Sequence, residues 1–442
     1  MLRALLEAAP VCDIELERFL TRARRLILDD LVGRAPADVT AGVDLGFPSA
    51  LARQCFVNEY VFSTTDDEIR DVTGLRDAMV EALDAGTAVP ALWPLVIAMY
   101  APLGAIPLAS RLLERRWPSD VAAVLAQQVL EPAEERAIRA SIPALTEIED
   151  EVSLLVQSQY EANPYPRWEK VPPGVVQGSV GGALRKKFPL ASFEAPAVRD
   201  NIDILIAGCG TGQQSIDVAR SYPGARVLAV DLSRTSLGYA IRKSRELGLS
   251  SIEYAQADLL KLGSLDRRFD FISCSGVLHH LADPWTGWRV LLSLLRHGGF
   301  MKLGFYSQAA RRHVVRAQKF VSERSYGVTA DEIRRCRRDM LDTEQGEGFG
   351  PVFRLHDFFS TSMCRDLLFH AHEHRMTLME IDDFLRANDL AFLGFDIEPS
   401  ILRAYRSRFP DDPSATNLGQ WHLFEQDNPD TFLGMYQFWV QK

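Results

Sequence analysis

Three glycines, Gly208, Gly210 and Gly212, stand in the stretch DILIAGCGTGQQSIDVA (203–219), after an aliphatic run and before a helical pattern. Strand, glycine turn and helix in that order let a doubly wound sheet press its backbone against a nucleotide-like ligand. The spacing is G-x-G-x-G, and Gln213 occupies the place where a dinucleotide fingerprint needs its third small residue. No G-x-x-x-x-G-K-[ST] is present, so the turn is not a phosphate cradle either. Two carboxylates follow. Asp231 ends RVLAVD, where a second-strand carboxylate accepts hydrogen bonds from ribose hydroxyls. Asp258, in AQADLL after the third strand, is placed to accept from an exocyclic amine such as adenine N6.

The next segment, SGVLHHLADP, brings His279 and His280 directly behind the fourth strand. An imidazole there is a candidate general base, although a hydrogen-bonded loop histidine is the commoner occurrence. A second histidine run, HAHEH (His370, His372, His374), invites a metal reading. On a helix, His372 would point away from the other two, and no third ligand is evident, so no metal is expected.

These residues need a scaffold. Alternating aliphatic and helical patterns from residue 200 predict strands at 203–208, 226–231, 252–257, 269–275 and 299–305, hence a parallel sheet with helices on both faces. A helical insertion over 308–388 follows, then two closing strands within 390–397 and 431–442. Residues 1–150 read as helices only, with Ser63 or Thr64 as a cap for the pattern STTDDEIRDVTGLRDAMVEALDAG and a break at Pro132. Residues 151–195, containing YEANPYPRWEKVPPGVVQG, form a connecting lid or linker. The catalytic domain is thus expected over 196–307 and 389–442.

Bulk properties narrow the classes. A chain of 442 residues with 47% hydrophobic and 24% charged residues is a soluble globular protein of two or three domains. A net charge of -10 argues against nucleic acid as partner. The basic runs LRKKF, ARRHVVR and RRCRR read as solvated helix faces. Six scattered cysteines without a CxxC pair fit a reducing cytoplasm, and Glu7, Asp13 and Glu15 spoil a signal peptide. The uncharged stretch between Asp84 and Arg111 is long enough to span a bilayer. Its four prolines make buried helix, turn and short helix the better reading, so no membrane partner is expected.

Taken in order, IAGCGTGQ, AVDLS, AQADL, FDFISCSGVLHHLADP and LLRHGGFMKL resemble the class I S-adenosylmethionine-dependent methyltransferases. The resemblance covers about 200–307 plus the two closing strands. It implies an α/β, Rossmann-like sheet of order 3-2-1-4-5-7-6 with strand 7 antiparallel, joined here to an N-terminal all-α domain and a helical insertion. It implies S-adenosyl-L-methionine as cofactor, with Gly208, Gly210 and Gly212 against its methionine portion. Asp231 would hold the ribose and Leu232 flank the adenine; Asp258 would take the adenine amine and Leu259 its ring. Ser275, Gly276 and Val277 would lie beside the transferable methyl, and His280 is the preferred imidazole. The segment YEANPYPRW resembles one in a bacterial subset of the family, some with a tetratricopeptide-like helical region in front. That implies Tyr160 and Tyr165 near the methionine end, Tyr160 binding cofactor and Tyr165 close to the chemistry.

The expected activity is methyl transfer to an acceptor, with a protein or peptide side chain preferred over a small metabolite. SGVL in place of an Asn-Pro-Pro-Tyr type sequence gives no sign of adenine or glutamine amide methylation. The rivals are a non-catalytic cofactor-binding sensor and a nicotinamide oxidoreductase, the latter opposed by Gln213. The sequence does not specify an oligomeric state.

Overall fold

A computed structural model describes residues 1–32, 44–162, 164–194, 201–343, 348–370 and 373–442. The aliphatic run ahead of the glycines forms β1 (Asp203–Ala207), buried at every position. A strand covered by helices on both faces has no room for an exposed side. Around it lie β2 (Arg226–Asp231), β3 (Ile252–Gln256), β4 (Phe269–Ser275), β5 (Leu295–Ser307), a two-residue β6 (Arg375–Met376), β7 (Ala391–Phe395) and β8 (Tyr436–Gln441). The order is β3-β2-β1-β4-β5-β8-β7, with β6 beside the end of β5. Apart from β6, which the sequence did not reveal, this is the expected order. β8 runs antiparallel to both β5 and β7.

Side chains alternate across β1 as a period of two requires. Leu205 and Ala207 join a core containing Trp288, Leu291, Phe305 and Trp421. Ile204 and Ile206 join another with Val218, Leu237 and Ala240. β5 is longer than its pattern suggested, because His297 and two glycines interrupt the apolar run without ending the strand. The last predicted strand is shorter, Tyr436–Gln441. Its first residue is pinned: the Tyr436 and Ser307 hydroxyls both donate to the buried Glu425 carboxylate, at 2.6 and 2.5 Å. Burial pushes the Glu425 carboxyl above its ordinary value.

The chain divides into two compact units. One comprises Met1–Ala137, Pro166–Val171 and Arg316–His370; the other comprises Ile138–Tyr165, Pro172–Val315 and Ala371–Lys442 and holds the sheet. The first unit has its own core, built from helices Ile14–Val32, Gly46–Val57, Asp66–Asp84 and Leu92–Ala98. Thr65, rather than Ser63 or Thr64, caps Asp66–Asp84 and shares a capping box with Glu68. The uncharged stretch contains helix Leu92–Ala98, a turn and helix Ser110–Leu113, with Leu95 to Met99 fully buried. Among the described residues, no helix is long and apolar enough to cross a membrane.

Pro132 does not break its helix. A π-turn, Ala126–Leu130, absorbs the register change and Glu131–Arg139 begins with Pro132 in its first turn, where no N–H is missed. RRCRR is only partly a solvated face. Arg335 and Arg338 pair with Glu332 and Asp339 at the surface. Arg337 is enclosed, donating to both Glu17 oxygens (3.1 and 2.9 Å) and to the Val61 and Phe358 carbonyls. The helix leading into HAHEH ends at Phe369, with His370 as its cap, so helical spacing does not govern the run. His372 lies outside the described residues.

Candidate active site

The strand order reverses between β1 and β4, and such a switch point opens a crevice at the carboxyl ends of the strands. The expected residues converge there. Gly208 has φ +75°, and a Cβ on it would lie 2.1 Å from Val277 Cγ2. Gly212, at φ +82°, opens helix Gln213–Ser221, and its Cβ would lie 2.6 Å from Ala240 Cβ. Both positions are closed to side chains by conformation and by space. Gly208→Ala is expected to destabilise the chain by about 1–3 kcal/mol, through left-handed strain plus overpacking against Val277. Urea unfolding checks this; an unchanged midpoint would show that Val277 simply moves aside.

Asp231 ties the glycine turn to the end of β2. Its Oδ2 accepts from Gly210 N at 2.8 Å and its Oδ1 from Ser233 N at 2.9 Å. Burial pushes its carboxyl above the ordinary 3.8, against the pull of these N–H donors. A ligand donating to this carboxylate needs the charged form. Its dissociation constant should therefore rise as pH falls through the raised Asp231 pKa, beginning at a higher pH than an ordinary aspartate would give. Titration of S-adenosylhomocysteine between pH 4 and 8 measures it, and a flat profile would remove the carboxylate from binding.

Asp258 caps the short helical turn Leu259–Ser264 by accepting from Leu260 N with Oδ1 (2.9 Å). It is 1% exposed, and its Oδ2 is buried without a hydrogen-bond partner among the described residues. A buried carboxylate oxygen left unmatched is costly unless a ligand donor meets it. Leu232 is half-buried after Asp231, its carbonyl accepting from Gln256 Nε2 (2.9 Å) and Gln157 Nε2 (3.3 Å). Leu259 is buried in the core.

Ser275 ends β4, and its hydroxyl lies 3.6 Å from Met435 Sδ. Gly276 follows at φ +76°. His279 and His280 lie in the helical turn Leu278–His280, 0% and 5% exposed, their ring centroids 4.3 Å apart. The His279 ring lies on Tyr306, 4.0 Å between centroids, and Tyr306 carries the Arg311 guanidinium 3.6 Å above its ring. Arg311 pairs with Glu373, and His374 N donates to the His279 carbonyl at 2.8 Å. Glu373 and His374 of the HAHEH run thus clasp the histidine turn. Tyr306, Arg311 and Glu373 had escaped sequence reasoning, because nothing local marks a buried cation as a partner of a distant ring.

Helix Glu151–Ala162 lies against the β2 end. Glu161 accepts from Arg234 N (2.5 Å), Thr235 N (3.2 Å) and Thr235 Oγ1 (2.6 Å), capping helix Arg234–Glu246 from outside. The Tyr160 carbonyl accepts from Ser233 Oγ at 3.1 Å, and the Tyr165 carbonyl from Thr211 N at 3.2 Å. The two tyrosine rings are 5.6 Å apart. Tyr160 and Tyr165 are therefore bonded through their backbones to the β2 loop and the glycine turn. Glu161 was missed: an acid bracketed by Tyr160 and Ala162 carries no sign of the helix it caps.

A family model described as a methyltransferase domain matches residues 204–299. An uncharacterized protein of Synechococcus sp. is 32% identical over 179 residues, 39% of this chain and 42% of that protein, so the chain spans under half of that relative's length. The ubiquinone biosynthesis O-methyltransferase of Cereibacter sphaeroides is 32% identical over 174 residues, 36% of this chain and 69% of the enzyme. Among solved structures, PKMT2 from Rickettsia typhi in complex with AdoHcy shares 16% identity, covering 62% of this chain and 55% of that one, at a TM-score of 0.47. The methyltransferase-domain match, the relative covered over 69% of its length and the sheet order agree: the chain belongs to the S-adenosylmethionine-dependent methyltransferases.

Proposed function

We propose that the protein transfers a methyl group from S-adenosylmethionine to an acceptor, with a protein or peptide side chain as the acceptor class. The observation that carries the cofactor reading is the buried Oδ2 of Asp258, which has no hydrogen-bond partner among the described residues and suits a donor such as the adenine amine. Asp231 accepts from the ribose hydroxyls, with its orientation fixed by Gly210 N and Ser233 N. Gly208 and Gly210 leave the turn bare for the methionine portion, and Ser275 and Gly276 stand beside the reacting centre. When bound, the cofactor supplies a methyl carbon already activated on a sulfonium. The chain aligns the acceptor in line with it and excludes water. If the acceptor carries a proton, an imidazole nitrogen of His280 takes it as the new bond forms. Tyr165, tied to the glycine turn, orders the same end of the crevice.

The protein-acceptor reading is supported by the first unit, a helical body with a separate core, more than a small-molecule pocket wall requires. A small-molecule acceptor, a metabolite or natural product, is the second reading, favoured by the likeness to an O-methyltransferase of ubiquinone biosynthesis. Purified protein incubated with methyl-labelled S-adenosylmethionine and desalted cell extract, then fractionated by size, separates them. Label in the macromolecular fraction supports the proposal. Label only after the small-molecule fraction is restored would replace it with the second reading. Cofactor binding without transfer in either would make the chain a sensor.

A further inference from the structure

An open groove of about 650 Å³ is lined by Arg139, Leu154, Gln157, Ser158, Glu161, Arg234 and Gln256, and it borders the end of β2, since Gln157 and Gln256 both donate to the Leu232 carbonyl. Leu154, Ser158 and Glu161 recur at helical spacing and share one face of Glu151–Ala162. Two half-buried guanidiniums meet them. Arg234 Nε donates to Gln256 Oε1 at 2.8 Å, and one terminal nitrogen of Arg139 donates to Thr235 Oγ1 at 2.7 Å. Each guanidinium is oriented by a single neutral acceptor, which leaves its other N–H groups for the groove. Among the described residues neither arginine is in an ion pair. Glu161, the one acid in the lining, spends its oxygens on the start of helix Arg234–Glu246, where the helix dipole offsets its charge.

With neutral acceptors orienting them and no acidic partner among the described residues, these two guanidiniums are available to a ligand's negative charge. Two oriented planar forks and a serine hydroxyl suit a tetrahedral oxyanion, which offers three or more acceptor oxygens, better than a single carboxylate. We propose that this groove binds a phosphate group, beside the end of β2 that carries Asp231 and Leu232. The bound anion would join Ser158 on helix Glu151–Ala162 to Arg234 at the start of helix Arg234–Glu246, adding to the link already made by Glu161. The proposal does not rest on methyl transfer.

The test is calorimetric titration of inorganic phosphate into the full chain at constant ionic strength, repeated with S-adenosylhomocysteine present so that the adenosine crevice is filled. Saturable binding at one site is expected in both, with Arg139→Gln and Arg234→Gln each weakening it about tenfold through loss of a charged hydrogen-bond donor. Arg234→Lys should recover part of the affinity. Thermal unfolding of the variants, unchanged from the parent, excludes a folding defect as the cause. Adenosine monophosphate binding more tightly than phosphate, with S-adenosylhomocysteine present, would name a nucleotide as the phosphate's source; equal affinity would name the free ion. Absence of saturable heat, or the same heat in a variant carrying both Arg139→Gln and Arg234→Gln, overturns the site. Absence of S-adenosylhomocysteine binding alone would instead count against the cofactor reading and leave the groove untouched.

Discussion

Asp231→Ala is expected to weaken S-adenosylhomocysteine binding about a hundredfold or more, with a matching loss in methyl transfer at low cofactor concentration. The carboxylate is proposed to accept from two ribose hydroxyls, and each charged hydrogen bond contributes about 1.5–3 kcal/mol. It also holds Gly210 N and Ser233 N, so its removal loosens the glycine turn and the start of the following helix together. Asp231→Asn separates the two contributions. The amide oxygen can keep one backbone N–H in place, while its NH₂ faces donors and loses the ribose. A hundredfold loss in the alanine variant with nearly full binding in the asparagine variant would assign the effect to the turn. Equal losses would assign it to the ribose. Calorimetry with S-adenosylhomocysteine distinguishes these, and full affinity in both would remove Asp231 from the site.

The second large effect concerns stability. Glu17→Ala should destabilise the first unit by about 3–5 kcal/mol, the cost of leaving a buried charge uncompensated. Arg337, 2% exposed, loses both of its carboxylate oxygens and keeps only the carbonyls of Val61 and Phe358. Arg337→Met in the same background removes the stranded cation and should recover much of the loss, as apolar replacements of enclosed ion pairs do. Denaturant unfolding followed by tryptophan fluorescence reports both variants. If the double variant is no better than Glu17→Ala, the penalty comes from a cavity and not from charge.

These two predictions mark what the sequence makes legible. Asp231, Asp258 and the glycines are readable because each is fixed by its own strand: an aliphatic run ends, and the next residue must lie at the carboxyl edge. The sheet order follows from the same local signals together with the family resemblance. Arg337 is illegible for the opposite reason. Its partner Glu17 lies 320 residues away, and in RRCRR nothing distinguishes the enclosed arginine from its solvated neighbours. Glu161 fails likewise, because the helix it caps begins 73 residues later. Helix ends at Thr65 and Phe369 shifted by a residue or more, since the competing caps Ser63, Thr64 and Thr65 are chemically alike and only packing selects one. The π-turn before Pro132 shows a further limit. Its Gln128 bonds to the Ala52 and Ala98 carbonyls and to Leu103 N, a set of long-range partners that holds the irregular backbone in place.

The placement of β8 between β5 and β7 has a bearing on biosynthesis. On a ribosome β5 emerges long before the strand that pairs with its free edge, and β7 meets no sheet until β8 arrives between them. Throughout that interval a thirteen-residue, largely apolar strand presents unpaired amides and carbonyls. A nascent chain in that condition is a template for pairing with its neighbours on a polysome. Translation speed across residues 308–435, and chaperone capture during it, would then govern the yield of active protein more than the stability of the finished fold does.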